Sequence, residues 1–239
     1  MVLSIQDYQE AIHSQSYAYV IESIVPKNKR EKIYDFWRID SVLLERNKYI
    51  AEVYQQFIVE PTDENYFKVL VANYLLEGLY FYNGFNYFYN LASRNLMLGT
   101  SDIIRYINRD ELSHCILFKN FILTIKNEFP SIYNAVVIRE MFQIATQQEI
   151  NWTTHIIGSN ILGISEESTD RYTKWLANYR LIEIEEPILF DGEQYKHNPY
   201  KHLEKIADTE GHGDVKSNFF EATVSSYQMS SALDGWNDF

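Results

Sequence analysis

The chain has 239 residues, 46% of them hydrophobic, with a formal net charge of −12 and one Cys. That length and apolar content can build one sizeable core, while the acidic balance argues against nucleic acid or an anionic membrane surface as a partner. The single Cys excludes an intramolecular disulfide and fits a reducing, cytoplasmic setting, and neither a membrane-spanning apolar run nor a signal-peptide pattern is present.

Gly (9) and Pro (5) are scarce and no alternating strand pattern lies between turn signals, so the expected fold is all-α. The first predicted helix runs from about Leu3 to Ser23, and Pro26 breaks the chain after it. A second is expected from near Arg30 to Val59, ending before Pro61. Thr62-Asp63-Glu64 is an acidic start suited to a helix N-terminus, opening a third helix from about Asp63 to Ala92. A fourth starts after Gly99 with Thr100-Ser101-Asp102 and ends near Pro130. A fifth runs from Ser131 to about Ile157, where Gly158 stops it, and a sixth from Ser165 to about Glu183.

Past Pro187 the helical periodicity fades, and Pro199, Gly211, Gly213 and polar residues accumulate. Residues 1–206 are therefore expected to form one helical bundle and residues 207–239 a flexible or extended tail. The tail holds Phe219, Phe220, Tyr227 and Trp236-Asn237-Asp238-Phe239. Large aromatics in a polar tail suggest a segment that orders on binding a partner.

The chemistry concentrates in two short repeats, Glu10-Ala-Ile-His13 and Glu111-Leu-Ser-His114. A helix places a carboxylate and an imidazole three residues apart on one face, one turn from each other. One such pair on its own reads as a surface ion pair; two in one all-helical chain are more specific. Two facing helices of this kind can hold a pair of ions, the ligand pattern of ferritin-like dimetal-carboxylate proteins. Glu77 sits in Leu76-Glu77-Gly78-Leu79-Tyr80-Phe81-Tyr82, where an unpaired carboxylate would be costly and a metal ion would be a fitting partner. Arg109 and Asp110 precede Glu111 and could orient a ligand His from behind. His155, His197, His202 and His212 show no ligand spacing, and Cys115 reads as a small core residue.

Glu10-Ala-Ile-His13-Ser-Gln-Ser-Tyr17 resembles the radical-tyrosine helix of the small subunit of class I ribonucleotide reductase. The stretches Glu77-Gly-Leu-Tyr-Phe-Tyr-Asn-Gly-Phe85 and Ile107-Asn-Arg-Asp110-Glu111-Leu-Ser-His114 look like that family's other two ligand helices, and Phe219-Phe220-Glu221-Ala-Thr-Val-Ser-Ser-Tyr227 resembles its tail. The resemblance implies a ferritin-like bundle that generates and stores a tyrosyl radical for deoxyribonucleotide synthesis. It implies Glu10, His13, Glu77, Glu111 and His114 as ligands of two iron or manganese ions, with Glu10 and Glu111 bridging. Tyr17 would carry the radical, and Phe81, Phe85 and Ile107 would form its apolar surroundings. Asp110 would hydrogen-bond His13, while Glu221 and Tyr227 would relay the radical to the large subunit, on which the C-terminal residues dock. A dimer of small subunits and a cytoplasmic location, host cytoplasm if the source is viral, follow from the same resemblance.

The family pattern also has an upstream helix supplying a fourth carboxylate, usually an Asp, and a Trp, and neither has a counterpart in this chain. Asp7 and Glu149 are the nearest acids, and neither is a convincing replacement. The expectation is a split subunit whose N-terminal fragment supplies the remaining ligand. The alternatives are a ferritin-like dimetal oxidase acting on another substrate, or a truncated non-radical partner of the large subunit. A docking tail with Glu221 and Tyr227 speaks against the oxidase.

Overall fold

A computed structural model describes residues 2–207. Glu221, Tyr227 and the expected docking tail lie outside the described residues. Ten α-helices and no strands are found among the described residues, in agreement with the all-α expectation.

Helix α1 spans Val2–Ile24 and is followed by α2 (Lys27–Tyr34), α3 (Phe36–Ile39) and α4 (Ser41–Val59). The expected single helix from Arg30 to Val59 is thus three. The last break comes at Asp40, whose extended backbone and side chain, accepting from the Leu43 amide at 3.0 Å, start a new helix rather than continue the old one. Thr62 caps α5 (Asp63–Leu75) in the same way, and Asp63 and Glu64 occupy its first turn. Asn134 caps α8 (Ala135–Ile156), which starts later than expected, and Ser165 opens α9 (Glu166–Glu183) with a reciprocal cap to Ser168. Gly158 ends the α8 region at φ +56°, a conformation that disfavours any side chain.

The largest departure from expectation lies between α5 and α6 (Tyr82–Ala92). One π-helical turn, Leu76–Tyr80, interrupts what the sequence pattern reads as a single helix, and it carries Glu77. Such turns insert an extra residue and re-aim the side chains on them. Helix α7 (Leu98–Glu128) is the longest element and packs against α5, α6 and the π turn. After α9 the chain continues through two short 3₁₀ turns to α10 (Glu204–Ala207).

The core lies where α5, α7, α8 and α9 meet, around Val71, Tyr74, Ile122, Phe142, Ala177 and Leu181, which are all fully buried. Helix α1 is different. It packs on α7, yet only His13 and Val20 are buried along it, while Leu3, Ile5, Tyr8, Ile12 and Tyr19 are exposed. No helix among the described residues is long and apolar enough to cross a membrane.

Candidate metal centre

The two Glu-x-x-His repeats face each other across α1 and α7. Their imidazole centroids are 6.0 Å apart, and Glu111 lies between them, with Oε1 3.2 Å from His13 Nδ1 and Oε2 3.0 Å from His114 Nδ1. Glu10 reaches the same space, 3.8 Å from His13 Nδ1 and 3.2 Å from His114 Nδ1. The π turn delivers Glu77, whose Oε2 is 3.3 Å from His114 Nδ1. Glu10, Glu77, Glu111 and His114 form a group whose donor atoms all lie within 4.8 Å of one another. His13 stands beside that group through Glu111 rather than inside it.

Each imidazole is held from behind by its other nitrogen. His13 Nε2 is 3.3 Å from Asp110 Oδ2, and His114 Nε2 is 2.9 Å from Gln9 Oε1. Neither acceptor can donate through the atom in contact, so each Nε2 carries the hydrogen and each Nδ1 faces the carboxylates. Gln6 adds a further restraint by donating to Glu77 Oε1 at 2.6 Å. Gln6 and Gln9 are residues that the ligand pattern does not single out. Their one available signal is position, one turn and one residue before Glu10 on the same helix.

The charge state reflects the crowding. Burial would push both imidazoles down, but the facing carboxylates raise His13 to about 10 and His114 to about 11. Burial raises Glu77, which also faces Glu111 and Glu10. Burial acts against Glu111 as well, yet the facing imidazoles of His114 and His13 and the neighbouring Glu77 carboxyl hold it below the usual carboxylate range. Three carboxylates around two imidazoles thus recruit protons as countercharge. A divalent cation is an alternative countercharge, and these oxygen and imidazole donors suit iron or manganese. His13 Nδ1 is buried and makes no hydrogen bond despite its short distance to Glu111. A ligand nitrogen aimed at an ion leaves that signature, and the donor set fits a metal.

Tyr17 lies one turn beyond His13 and lines a cavity of about 540 Å³ together with Phe81, Phe85 and Ile104. Burial, reinforced by the negative charge of Glu111, pushes its phenol well above the ordinary value. Phe81 and Phe85 stack at 6.5 Å, while Ile107 is buried in the core and Ile104, one turn earlier, supplies the wall beside the phenol. Asp7 is exposed. Glu149 is 1% exposed and is paired with Arg46, whose Nε is 3.0 Å from its Oε2. Neither supplies a donor to the cluster. Cys115 is buried as expected, and His155 bonds Asp40 at 2.8 Å.

The family "Ribonucleotide reductase, small chain" matches residues 1–199. A ribonucleoside-diphosphate reductase subunit beta of Halalkalibacterium halodurans is 36% identical over 99% of this chain and 68% of its own length. That of Treponema pallidum is 36% identical over 98% of this chain and 66% of its own length. The solved ribonucleotide reductase R2 subunit from Clostridium botulinum superposes with a TM-score of 0.82 at 41% identity, covering 86% of this chain and 65% of that one. The chain thus spans about two thirds of the length of these relatives.

Proposed function

Because the chain belongs to the ribonucleotide reductase small-chain family, we propose that it holds two metal ions and stores a radical on Tyr17 for use by a large catalytic subunit. Glu10, His13, Glu77, Glu111 and His114 are the ligands in this reading, and the ions are iron or manganese. The observation that carries it is Glu111 standing between two imidazoles that both turn Nδ1 toward it. When bound, such ions supply one-electron oxidation with O₂ as the terminal oxidant.

The chain's own residues do the rest. Asp110 and Gln9 fix the ring planes of His13 and His114 from behind. Tyr17 is kept as a neutral phenol by burial and nearby negative charge, so losing an electron there requires losing the hydroxyl proton as well. Phe81, Phe85 and Ile104 line the same cavity as the phenol and themselves offer no group for a radical to oxidise easily. Asp110, in contact with His13, links the cluster to the path by which the radical leaves. Glu221 and Tyr227 continue that path and residues 207–239 dock on the large subunit, with two copies of the chain forming a dimer in the cytoplasm.

The donor set is one carboxylate short of the four that accompany two His in the family pattern. We assign the fourth to the family's upstream helix, which an N-terminal fragment can supply to this chain. Neither the exposed Asp7 nor Glu149, paired with Arg46, belongs to the donor group. The test is EPR spectroscopy of the chain loaded with Fe(II) and exposed to O₂, with and without that fragment. A tyrosyl signal should require the fragment and vanish in Tyr17→Phe, with bound metal unchanged in the variant. A full-strength signal from the chain alone would overturn the fragment requirement. A signal that survives Tyr17→Phe would overturn the assignment of the radical.

A further inference from the structure

The π turn that carries Glu77 is held by two arginines from different helices, Arg180 buried and Arg46 partly buried. Arg46, on α4, donates through Nη2 to the Tyr80 carbonyl at 2.6 Å. Arg180, on α9, donates through Nε to the Gly78 carbonyl at 3.0 Å. A π turn shifts backbone carbonyls out of the regular i→i−4 ladder, and a buried carbonyl left without a donor is costly. The two guanidinium groups answer that need at two carbonyls of one segment.

Each arginine carries its own counterion. Arg46 Nη2 is 2.9 Å from Glu149 Oε2, and Arg180 Nη1 is 2.7 Å from Glu183 Oε2. Each also lies over a ring next to the turn, Arg46 over Tyr80 at 4.5 Å and Arg180 over Tyr82 at 5.2 Å. Gly78 makes the close approach possible, because a Cβ there would sit 3.0 Å from Arg180 Nε and 3.0 Å from Cys115 Sγ. Ion pairs largely removed from water stabilise a fold little or not at all compared with apolar packing of the same volume, so their presence asks for a structural task. The geometry supplies one: both forks end on backbone carbonyls just after Glu77, at Gly78 and Tyr80.

We propose that Arg46 and Arg180 are positioning residues that clamp the Leu76–Tyr80 turn and so set the place of the Glu77 carboxylate in the cluster. The second half rests on Glu77 being a metal ligand; the clamp itself does not. Lys has the charge but not the planar fork, and it cannot serve a carboxylate and a carbonyl in the same geometry. Arg46→Lys and Arg180→Lys therefore remove the clamp while leaving the buried charge balance in place.

The experiment is hydrogen–deuterium exchange of the full chain combined with Co(II) titration followed by visible absorbance. In the unaltered chain, peptides covering residues 76–81 should be as protected as those of α5 and α6. In each Lys variant they should exchange about tenfold faster or more, while α8 peptides stay within about twofold, and Co(II) affinity should fall by about tenfold. Arg38→Lys, on exposed α3, is the control and should change neither. Loop-like exchange of residues 76–81 in the unaltered chain overturns the clamp without any variant having to fold. So does unchanged exchange at these residues in both folded Lys variants. Faster exchange with unchanged Co(II) affinity overturns the link to Glu77. Absence of Co(II) binding by the unaltered chain sinks the metal reading and the link with it, while exchange still decides the clamp.

Discussion

His114 stands on α7, whose buried face runs from Ser101 to Ile125 through the core, whereas His13 stands on α1, where only Val20 shares its burial. The partners differ likewise. Glu77 and Glu111, beside His114, are both buried, while the Glu10 side chain is 46% exposed. One half of the centre is therefore formed by the same packing that forms the core. The other is held to it by polar contacts, through Glu111 to His13, Asp110 to His13 and Gln9 to His114. A buried ligand needs no ordering when an ion arrives, and an exposed one does, so the α7 half should bind first and more tightly.

The largest expected effect breaks both halves together. Glu111→Ala removes the buried carboxylate that stands within 3.2 Å of both imidazoles, and metal affinity should fall by more than the roughly 100-fold upper range seen for outer partners. Isothermal calorimetry with Mn(II) measures it, and loss of only one ion would show that Glu111 is not shared. Glu77→Ala should then cost more affinity than Glu10→Ala, because its buried place on the π turn is already ordered by the core. The reverse order would place the stronger half on α1.

Outer partners should separate the halves more finely. Asp110→Asn acts behind His13 and Gln9→Ala behind His114, and each should weaken binding about 10- to 100-fold. Stepwise Mn(II) titration should assign the Gln9 effect to the tighter ion and the Asp110 effect to the weaker one. Equal effects on both ions would remove the distinction between the halves.

The smallest effect concerns protons in the metal-free chain. His13 and His114 are raised from an ordinary 6.5 to about 10 and about 11, so their contribution to stability is fully present below pH 6.5 and is lost as pH rises through those higher values. Thermal melts of the metal-free chain should decline across that window, and Glu111→Ala should decline less. Metal loading at neutral pH should release protons, seen as a dependence of calorimetric heat on the buffer's ionisation enthalpy.

Much of this architecture is legible in the sequence. The Glu10–His13 and Glu111–His114 pairs are local, since three-residue spacing on a helix settles which face both occupy. The caps at Thr62 and Ser165 and the stop at Gly158 are local too, and the helices they bound lie near where the sequence pattern puts them. The break at Asp40 is not legible, because an Asp within a helical run reads equally well as a surface residue until its side chain turns back to cap Leu43. The π turn escapes for a related reason: the apolar pattern around Glu77 satisfies an unbroken helix.

By itself, then, the sequence determined most of the helices, their order and the two Glu–His pairs, because periodicity and capping act within a few residues. The tertiary structure decided which polar groups share the buried space. Gln9 meets His114 across 105 residues and Arg46 meets Glu149 across 103. Glu149 became the counterion of a clamp rather than a ligand, and the wide turn of Glu77 is held by arginines from two other helices. Such pairings follow from the requirement that every buried charge and carbonyl find a partner, and that requirement can be worked out only once the helices have come together.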